Sequence, residues 1–475
     1  MIEQRLLIKG ARLQFRAAVF DVRIEGDRIV SIAPQLWPTA GERVIAANGG
    51  ALLPGLHDHH IHLPALAASL NSVQCGPPHV NDTEELAAVL SVHAAVSNDE
   101  WLRGIGYHDS VGGEIDRDWL DTHISERPVR IQHRSGRLWI FNSAGLERLA
   151  PDDATSLERK RGRLTGRLYD GDDWLRERLA GQRPSLHAAS RLLASGGVTA
   201  VSEVTPSNTH AEFLYYASAQ SKGELLQNLL VMGDPSLDAA TENPRLLRGG
   251  TKIHLHESAL PDFDAVSHRI TRSHEAGRPV AIHCVTDGEL AFSLEALAAA
   301  GVFAGDRIEH ASVASTEMLP RMRELGVTVV TQPNFVWERG DQYLNDVAPA
   351  DLSSLYRARG LRDAGIEIAG GTDAPFGTPD PWRAMQAAVD RRTRSGAILG
   401  EAEALSPEDA YHLFTGPLQQ PGGRSESLTV GTIADLCLID RAWSTARESL
   451  AETNVVATIR DGALIWHSSS HGAGT

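Results

Sequence analysis

Residues 54–63 read PGLHDHHIHL, with four histidines and one aspartate in six consecutive positions. Imidazole and carboxylate are the side chains that bind Zn²⁺ and its first-row neighbours at neutral pH. In an extended chain alternate side chains share a face, so Asp58, His60 and His62 lie together while His57 and His59 lie opposite. With Cα atoms about 7 Å apart, His60 and His62 can reach one ion. His57 and His59 are expected to face flanking helices as hydrogen-bonded polar residues. A bare His-x-His also occurs as an ordinary polar strand end, so the pair alone does not establish a metal site.

Later segments supply companions: His283 in VAIHC, His310 in RIEHAS and Asp373 in AGGTDAP. Each follows a short apolar run, which is where a parallel barrel presents its functional groups. Four imidazoles and a carboxylate meeting at one mouth suit Zn²⁺ first, and also Mn²⁺, Fe²⁺, Co²⁺ or Ni²⁺. Lys252 opens the strand-like run KIHL. A lysine buried beside cations loses its proton, and the neutral amine can take up carbon dioxide as a carbamate that bridges two metals. A plain salt-bridged lysine fits the sequence equally.

The elements that would position these residues repeat one pattern: an amphipathic helix, a glycine, then a β-branched run. FDAVSHRITRSHEAG leads into PVAIHC and MLPRMRELG into VTVVTQ. In the first, Phe263, Val266 and Ile270 recur at helical spacing and Gly277 stands at the expected helix end. Runs such as VTVV are apolar on both faces, as parallel strands covered by helices must be. The fold class is α/β, and the pattern predicts a (β/α)8 TIM-like barrel over residues 51–424. The ends differ. Residues 1–50 and 425–475 carry alternating apolar positions and tight turns such as Glu25-Gly26-Asp27, predicting a small β-sandwich domain formed from both chain termini.

Composition narrows the partners. The 475 residues are 42% hydrophobic and 22% charged, the balance of a soluble globular protein. Sixty-one acidic against 45 basic residues give a formal net charge of −16, with no Lys/Arg run to track a phosphate backbone, so nucleic acid is not expected as a partner. Three cysteines are too few for a disulfide framework. The opening MIEQRLLIKGARL is broken by charges where a signal peptide needs an apolar run, and no segment has the length of a membrane helix. A cytoplasmic protein with no membrane association, acting on a small-molecule substrate, is the expectation. A homodimer is the commonest assembly for such a protein, although the sequence does not specify one.

The ordered set Asp58-x-His60-x-His62, Lys252, His283, His310 and Asp373 resembles the amidohydrolase superfamily. RIEHASV, ELGVTVVTQP and DAPFGTPDPW resemble its N-substituted-formamide-deformylase-like branch, and SLTVGTIADLCLID with TIRDGALIW resembles its composite β-sandwich. That resemblance implies two divalent ions, Zn²⁺ by default. His60 and His62 would hold one and His283 and His310 the other, with carboxylated Lys252 bridging and Asp373 serving as both metal ligand and catalytic proton carrier. The implied reaction is hydrolysis of a non-peptide carbon–nitrogen bond in an amide, formamide or cyclic amide by metal-activated hydroxide.

The chain departs from that branch in two places, with Arg137 at an expected histidine and HLHES after the lysine. Candidate substrate contacts are Gln332 and Asn334 after the seventh strand, Trp139 for stacking, Tyr107 as a hydrogen-bond donor, and His256, which shares the parity of His254 and Lys252. Each of these is also a common packing or solvent residue. A mononuclear deaminase of an aminated heterocycle would keep His60, His62, His283 and Asp373, leave Lys252 without a bridging role and use Glu257 as proton shuttle. A non-catalytic barrel would have lost ligands that are all present here.

Overall fold

A computed structural model describes residues 5–77, 79–96, 100–150, 157–179 and 183–468. The chain divides into two compact units, Met1–Leu63 with Leu186–Thr475, and Pro64–Ser185. The first contains an eight-stranded sheet. Its strands are β1 (Leu56–Ile61), β2 (Val198–Glu203), β3 (Asn228–Gly233), β4 (Leu246–His254), β5 (Val280–Cys284), β6 (Arg307–His310), β7 (Thr328–Thr331) and β8 (Ile368–Gly370). They pair in sequence order and all in parallel. The covering helices bury the apolar stripe that the spacing predicts. In Phe263–Glu275, Asp262 caps the first turn, Val266 and Ile270 are buried, and Gly277 follows at φ +72°, although Phe263 itself is exposed.

The sheet nearly closes into a barrel, and the seam lies just beyond the ends of β1 and β8. Asp373 N–H donates to His60 O at 2.8 Å and His62 N–H to Ala374 O at 2.9 Å. Below them the Asp58 carboxylate accepts from Thr372 N–H at 2.9 Å and Thr372 Oγ1 at 2.5 Å. Burial pushes the Asp58 carboxyl up to about 6, against those same hydrogen bonds. Gly371 allows the close approach: a Cβ there would lie 2.4 Å from His60 Cβ and 2.6 Å from His60 N.

Strands from both ends of the chain share a second eight-stranded sheet. Leu436–Ile439 pairs antiparallel with Ala51–Pro54, and Arg5–Leu13 lies parallel to both Arg43–Ala46 and Ala51–Pro54. Leu6, Ile8, Val22, Leu52, Leu438 and Ile459 fill its core. The predicted boundary after residue 50 therefore shifts: Ala51–Pro54 belongs to the terminal sheet, and β1 begins only after Gly55. A Cβ on Gly55 would meet Thr199 Oγ1 at 2.4 Å, so the passage between sheets requires glycine.

The larger correction concerns Pro64–Ser185, which the sequence reading counts within the barrel. It is a unit with its own six-stranded sheet, ordered Leu157–Lys160, Arg163–Tyr169, Leu138–Phe141, Val129–His133, Leu102–Tyr107, Val73–Gln74. Leu102–Tyr107 and Val129–His133 are parallel and joined through the helix Arg117–His123. That is the local grammar of a barrel repeat, which is why periodicity does not separate them. Among the described residues no helix is long and apolar enough to cross a membrane.

Gly371→Ala is expected to lower stability by about 1–3 kcal/mol through overpacking against His60. Thermal unfolding of the variant against wild type measures it, and an unchanged Tm would show that the seam tolerates a side chain.

Candidate metal centre

The seam brings the ends of β1 and β8 together, and with them the first and last chemical residues of the chain. The ligand atoms of His60, His310 and Asp373 all lie within 4.8 Å of one another. Asp373 Oδ1 is 3.4 Å from Nε2 of both His60 and His62. The His310 ring stands 4.6 Å from that of His60 and 4.5 Å from that of His283, centroid to centroid. Lys252 on β4 is buried, and its Nζ lies 4.0 Å from Glu309 Oε1 on β6. His310, Ala311 and Asp373 have φ of 69°, 45° and 55°. Left-handed backbone costs about 1–2 kcal/mol per non-glycine residue, so the fold carries strain where these side chains are presented.

Each of three histidines is oriented through Nδ1. His60 Nδ1 makes a short contact with Glu309 Oε2, His62 Nδ1 bonds Thr205 Oγ1 at 3.1 Å, and His310 Nδ1 bonds Gln332 Oε1 at 2.7 Å. Fixing Nδ1 leaves Nε2 as the free ligand atom, the usual device at metal sites. Burial, with the neighbouring His60, pushes His310 down to about 3, and burial likewise lowers His283, so both imidazoles stay neutral as ligands must. Burial pushes Lys252 down to about 8, partly opposed by Glu309. Burial would raise the Asp373 carboxyl, but the close approach of His60, His62 and His310 outweighs it and holds the group well below the usual carboxylate range.

A metal fits this donor set on the structure's own terms. Asp373 Oδ1 and Lys252 Nζ are buried without a hydrogen-bond partner. Two buried polar atoms of opposite character without a hydrogen bond, beside the neutral imidazoles of His283 and His310, are costly in a closed interior, and a cation answers the carboxylate.

The comparisons with known proteins decide the family. Residues 43–465 match the model of the amidohydrolase family. The chain belongs to the amidohydrolase family. It lies in the deformylase-like branch: it is 26% identical to the N-substituted formamide deformylase of Arthrobacter pascens, over 97% of this chain and 94% of that protein. It is 23% identical to the putative amidohydrolase YtcJ of Bacillus subtilis strain 168, over 78% of this chain and 80% of that one. Its fold matches an uncharacterized metal-dependent hydrolase from Pyrococcus furiosus with a TM-score of 0.73 at 21% identity, covering 92% of this chain and 99% of the other. As a family member it is a hydrolase of carbon–nitrogen bonds other than peptide bonds.

Several sequence expectations for this amidohydrolase change in the structure. Gln332 is not free to meet a substrate: it holds His310, and its own Nε2 is 3.3 Å from Val330 O. Asn334 is fully buried and donates to Thr372 O at 3.0 Å, bracing the seam. Tyr107 is buried in the second unit with its hydroxyl on Gly113 O at 2.8 Å. Trp139 packs in that unit's core with Trp101 and Phe141. His256 is exposed, its ring 4.4 Å from that of His254. His57 is satisfied, bonding Gly416 O and Ser202 Oγ at 3.1 Å each, but both nitrogens of buried His59 lack a partner. Arg137 forms an exposed fork with Asp170, at 2.7 Å for each bond.

The residue the sequence reading misses is Glu309. Fully buried, it contacts Arg307 and His60 and lies within reach of Lys252; burial raises its carboxyl, but those three outweigh burial and hold it well below its ordinary range. Arg307, in turn, donates to His59 O at 2.8 Å. The signal was present in RIEH: two opposite charges at i and i+2 of a strand buried on both faces must pair with each other inside. Glu309→Gln is expected to weaken metal binding roughly 10- to 100-fold, as loss of an outer carboxylate typically does. Competition with a chromophoric chelator reads this without a substrate.

Proposed function

We propose that the chain hydrolyses the carbon–nitrogen bond of a non-peptide amide, formamide or cyclic amide, with two divalent ions, Zn²⁺ first, held by His60, His62, His283, His310, Asp373 and a carboxylated Lys252. The observation that carries this is Asp373 Oδ1, buried without a hydrogen bond 3.4 Å from two histidine Nε2 atoms. Divalent cations in such a site supply a water of lowered pKa and polarise the scissile carbonyl. Asp373 Oδ1 is positioned to take the proton of the attacking water and return it to the departing nitrogen. Glu309, Thr205 and Gln332 hold the imidazoles in the one orientation that leaves Nε2 available. The relative from Arthrobacter pascens is named for formamide cleavage, which supports a small acyl group as the first substrate class to assay.

Lys252 favours this reading over a mononuclear deaminase, in which a buried lysine without a hydrogen bond beside the centre would have no bridging task. Glu257, the shuttle that a deaminase would need, is exposed, and a Cβ on Gly288 would lie 2.8 Å from its Oε1, so it sits over the start of Asp287–Ala300. His256 stays in this reading as a substrate contact. The terminal sheet is read as the superfamily's small β-sandwich, and three buried free cysteines fit a reducing, cytoplasmic setting.

Chelation should abolish hydrolysis of N-formyl amines and zinc should restore it at two ions per chain, with Lys252→Ala retaining one or none by elemental analysis. Asp373→Asn should lose about 10²–10⁴ in kcat, the usual scale for a proton-transfer group. Turnover that survives complete metal removal would exclude the reading.

A further inference from the structure

Resting on that hydrolase reading, the next question is what part of a substrate lies beyond the scissile bond. The loop leaving Asp373 carries Phe376, whose ring meets His62 edge to face at 5.4 Å and 88°. Phe376 is 59% exposed, a large apolar ring left open beside a ligand histidine. Against the same loop lies Arg339, from the second turn of the helix Asn334–Asp346. Its guanidinium carbon sits 3.9 Å from the centroid of buried Phe335, four residues earlier on the same helix face, and its Nη2 donates to Phe376 O at 2.7 Å.

This cation is fixed by stacking and a backbone bond, yet among the described residues no carboxylate pairs with it. In a chain with 61 acidic residues against 45 basic ones that is not for want of partners. The acids nearest in sequence are committed elsewhere: Glu338 accepts from Thr378 N–H at 2.9 Å and Asn334 Nδ2 at 3.2 Å, and Asp341 accepts from Thr393 and Ser395. Arg339 is only half-buried, so its unused N–H groups are open to a solute. A planar guanidinium held in place matches a carboxylate in two-point fashion, and an open aromatic ring next to it packs an apolar linker.

We propose that Phe376 and Arg339 form the distal end of the substrate site, selecting amides that carry an apolar or aromatic linker ending in a carboxylate. The strongly acidic chain repels anions in general, so a fixed arginine at this rim gives a local exception and thereby discrimination. Arg339 acts by binding and takes no part in the proton transfers.

The test uses the zinc-reconstituted full chain with N-formylphenethylamine and its para-carboxylated analogue. The ratio of their kcat/KM values is expected to favour the carboxylate by about tenfold and to fall to near unity in Arg339→Gln, with the change carried by KM. Arg339→Lys, which keeps the charge and loses the fork, should fall between, and Phe376→Ala should weaken both compounds. A wild-type ratio at or below one, or a ratio that Arg339→Gln leaves unchanged, overturns the proposal. Calorimetric titration of both compounds runs in parallel. If neither is hydrolysed, the hydrolase reading fails for this class, while tighter binding of the carboxylate that depends on Arg339 upholds the recognition site and equal binding rejects it.

Discussion

The hydrogen bond from Asp373 N–H to His60 O, 2.8 Å long, holds together two residues from opposite ends of the barrel's sequence. Closing a parallel sheet requires its first and last strands to meet, and here they meet within the functional residues themselves. Register at the seam therefore sets ligand geometry. The Asp58 carboxylate fixes that register by binding Thr372 twice, and Gly371 removes the one Cβ that would hold the strands apart. A histidine and an aspartate far apart in the chain are thus positioned by backbone pairing, which is stiffer than any side-chain network alone.

Beneath the seam lies an interior that is electrostatically expensive. Lys252, Arg307, Glu309 and Asp373 are all buried, two positive and two negative groups among imidazoles. Arg307 and Glu309 pair directly, yet Arg307 Nη1, Lys252 Nζ and Asp373 Oδ1 each lack a hydrogen-bond partner. Removing charges from water costs several kcal/mol per group unless each finds a counterpart, so an incompletely paired set is not explained by stability. A divalent cation, which the amidohydrolase family uses, would answer the Asp373 carboxylate. The same account covers the strained backbone at His310 and Asp373, since such strain persists where function requires it.

How much of this was legible beforehand depended on whether the information was local. The face shared by His60 and His62 follows from a two-residue period, and the helix stripe of Val266 and Ile270 from a 3.6-residue one; both are short-range and both appear. The single barrel over 51–424 did not, because Leu102–Tyr107 and Val129–His133 have the composition of barrel strands and only their long-range pairing assigns them to another sheet. Gln332 and Asn334 were recognised as polar residues at a strand end, but whether an amide faces outward to a ligand or inward to a neighbour is set by tertiary contact. Glu309 escapes a sequence reading for a different reason: it stands next to a more conspicuous histidine, and its contact with His60 joins two strands far apart in the chain.

The role that Asn334 takes instead bears on how chemistry and recognition are coupled. Its Nδ2 bonds Thr372 O at 3.0 Å, and a Cβ on Gly377 would fall 2.3 Å from that same Nδ2, so the helix start packs directly beneath the loop that follows Asp373. Phe376 and Gly377 N–H groups both return to Asp373 O, at 2.8 and 3.1 Å, which makes residues 373–377 one tight turn. The carboxylate at its start and the aromatic ring at its fourth residue cannot move independently. Arg339 comes from the helix that Asn334 begins, so its hold on Phe376 O ties that helix to the turn a second time. A substrate group bound at this rim would therefore bear on the position of Asp373 through a few short, stiff connections, the arrangement by which remote binding energy can be used to orient a reacting centre.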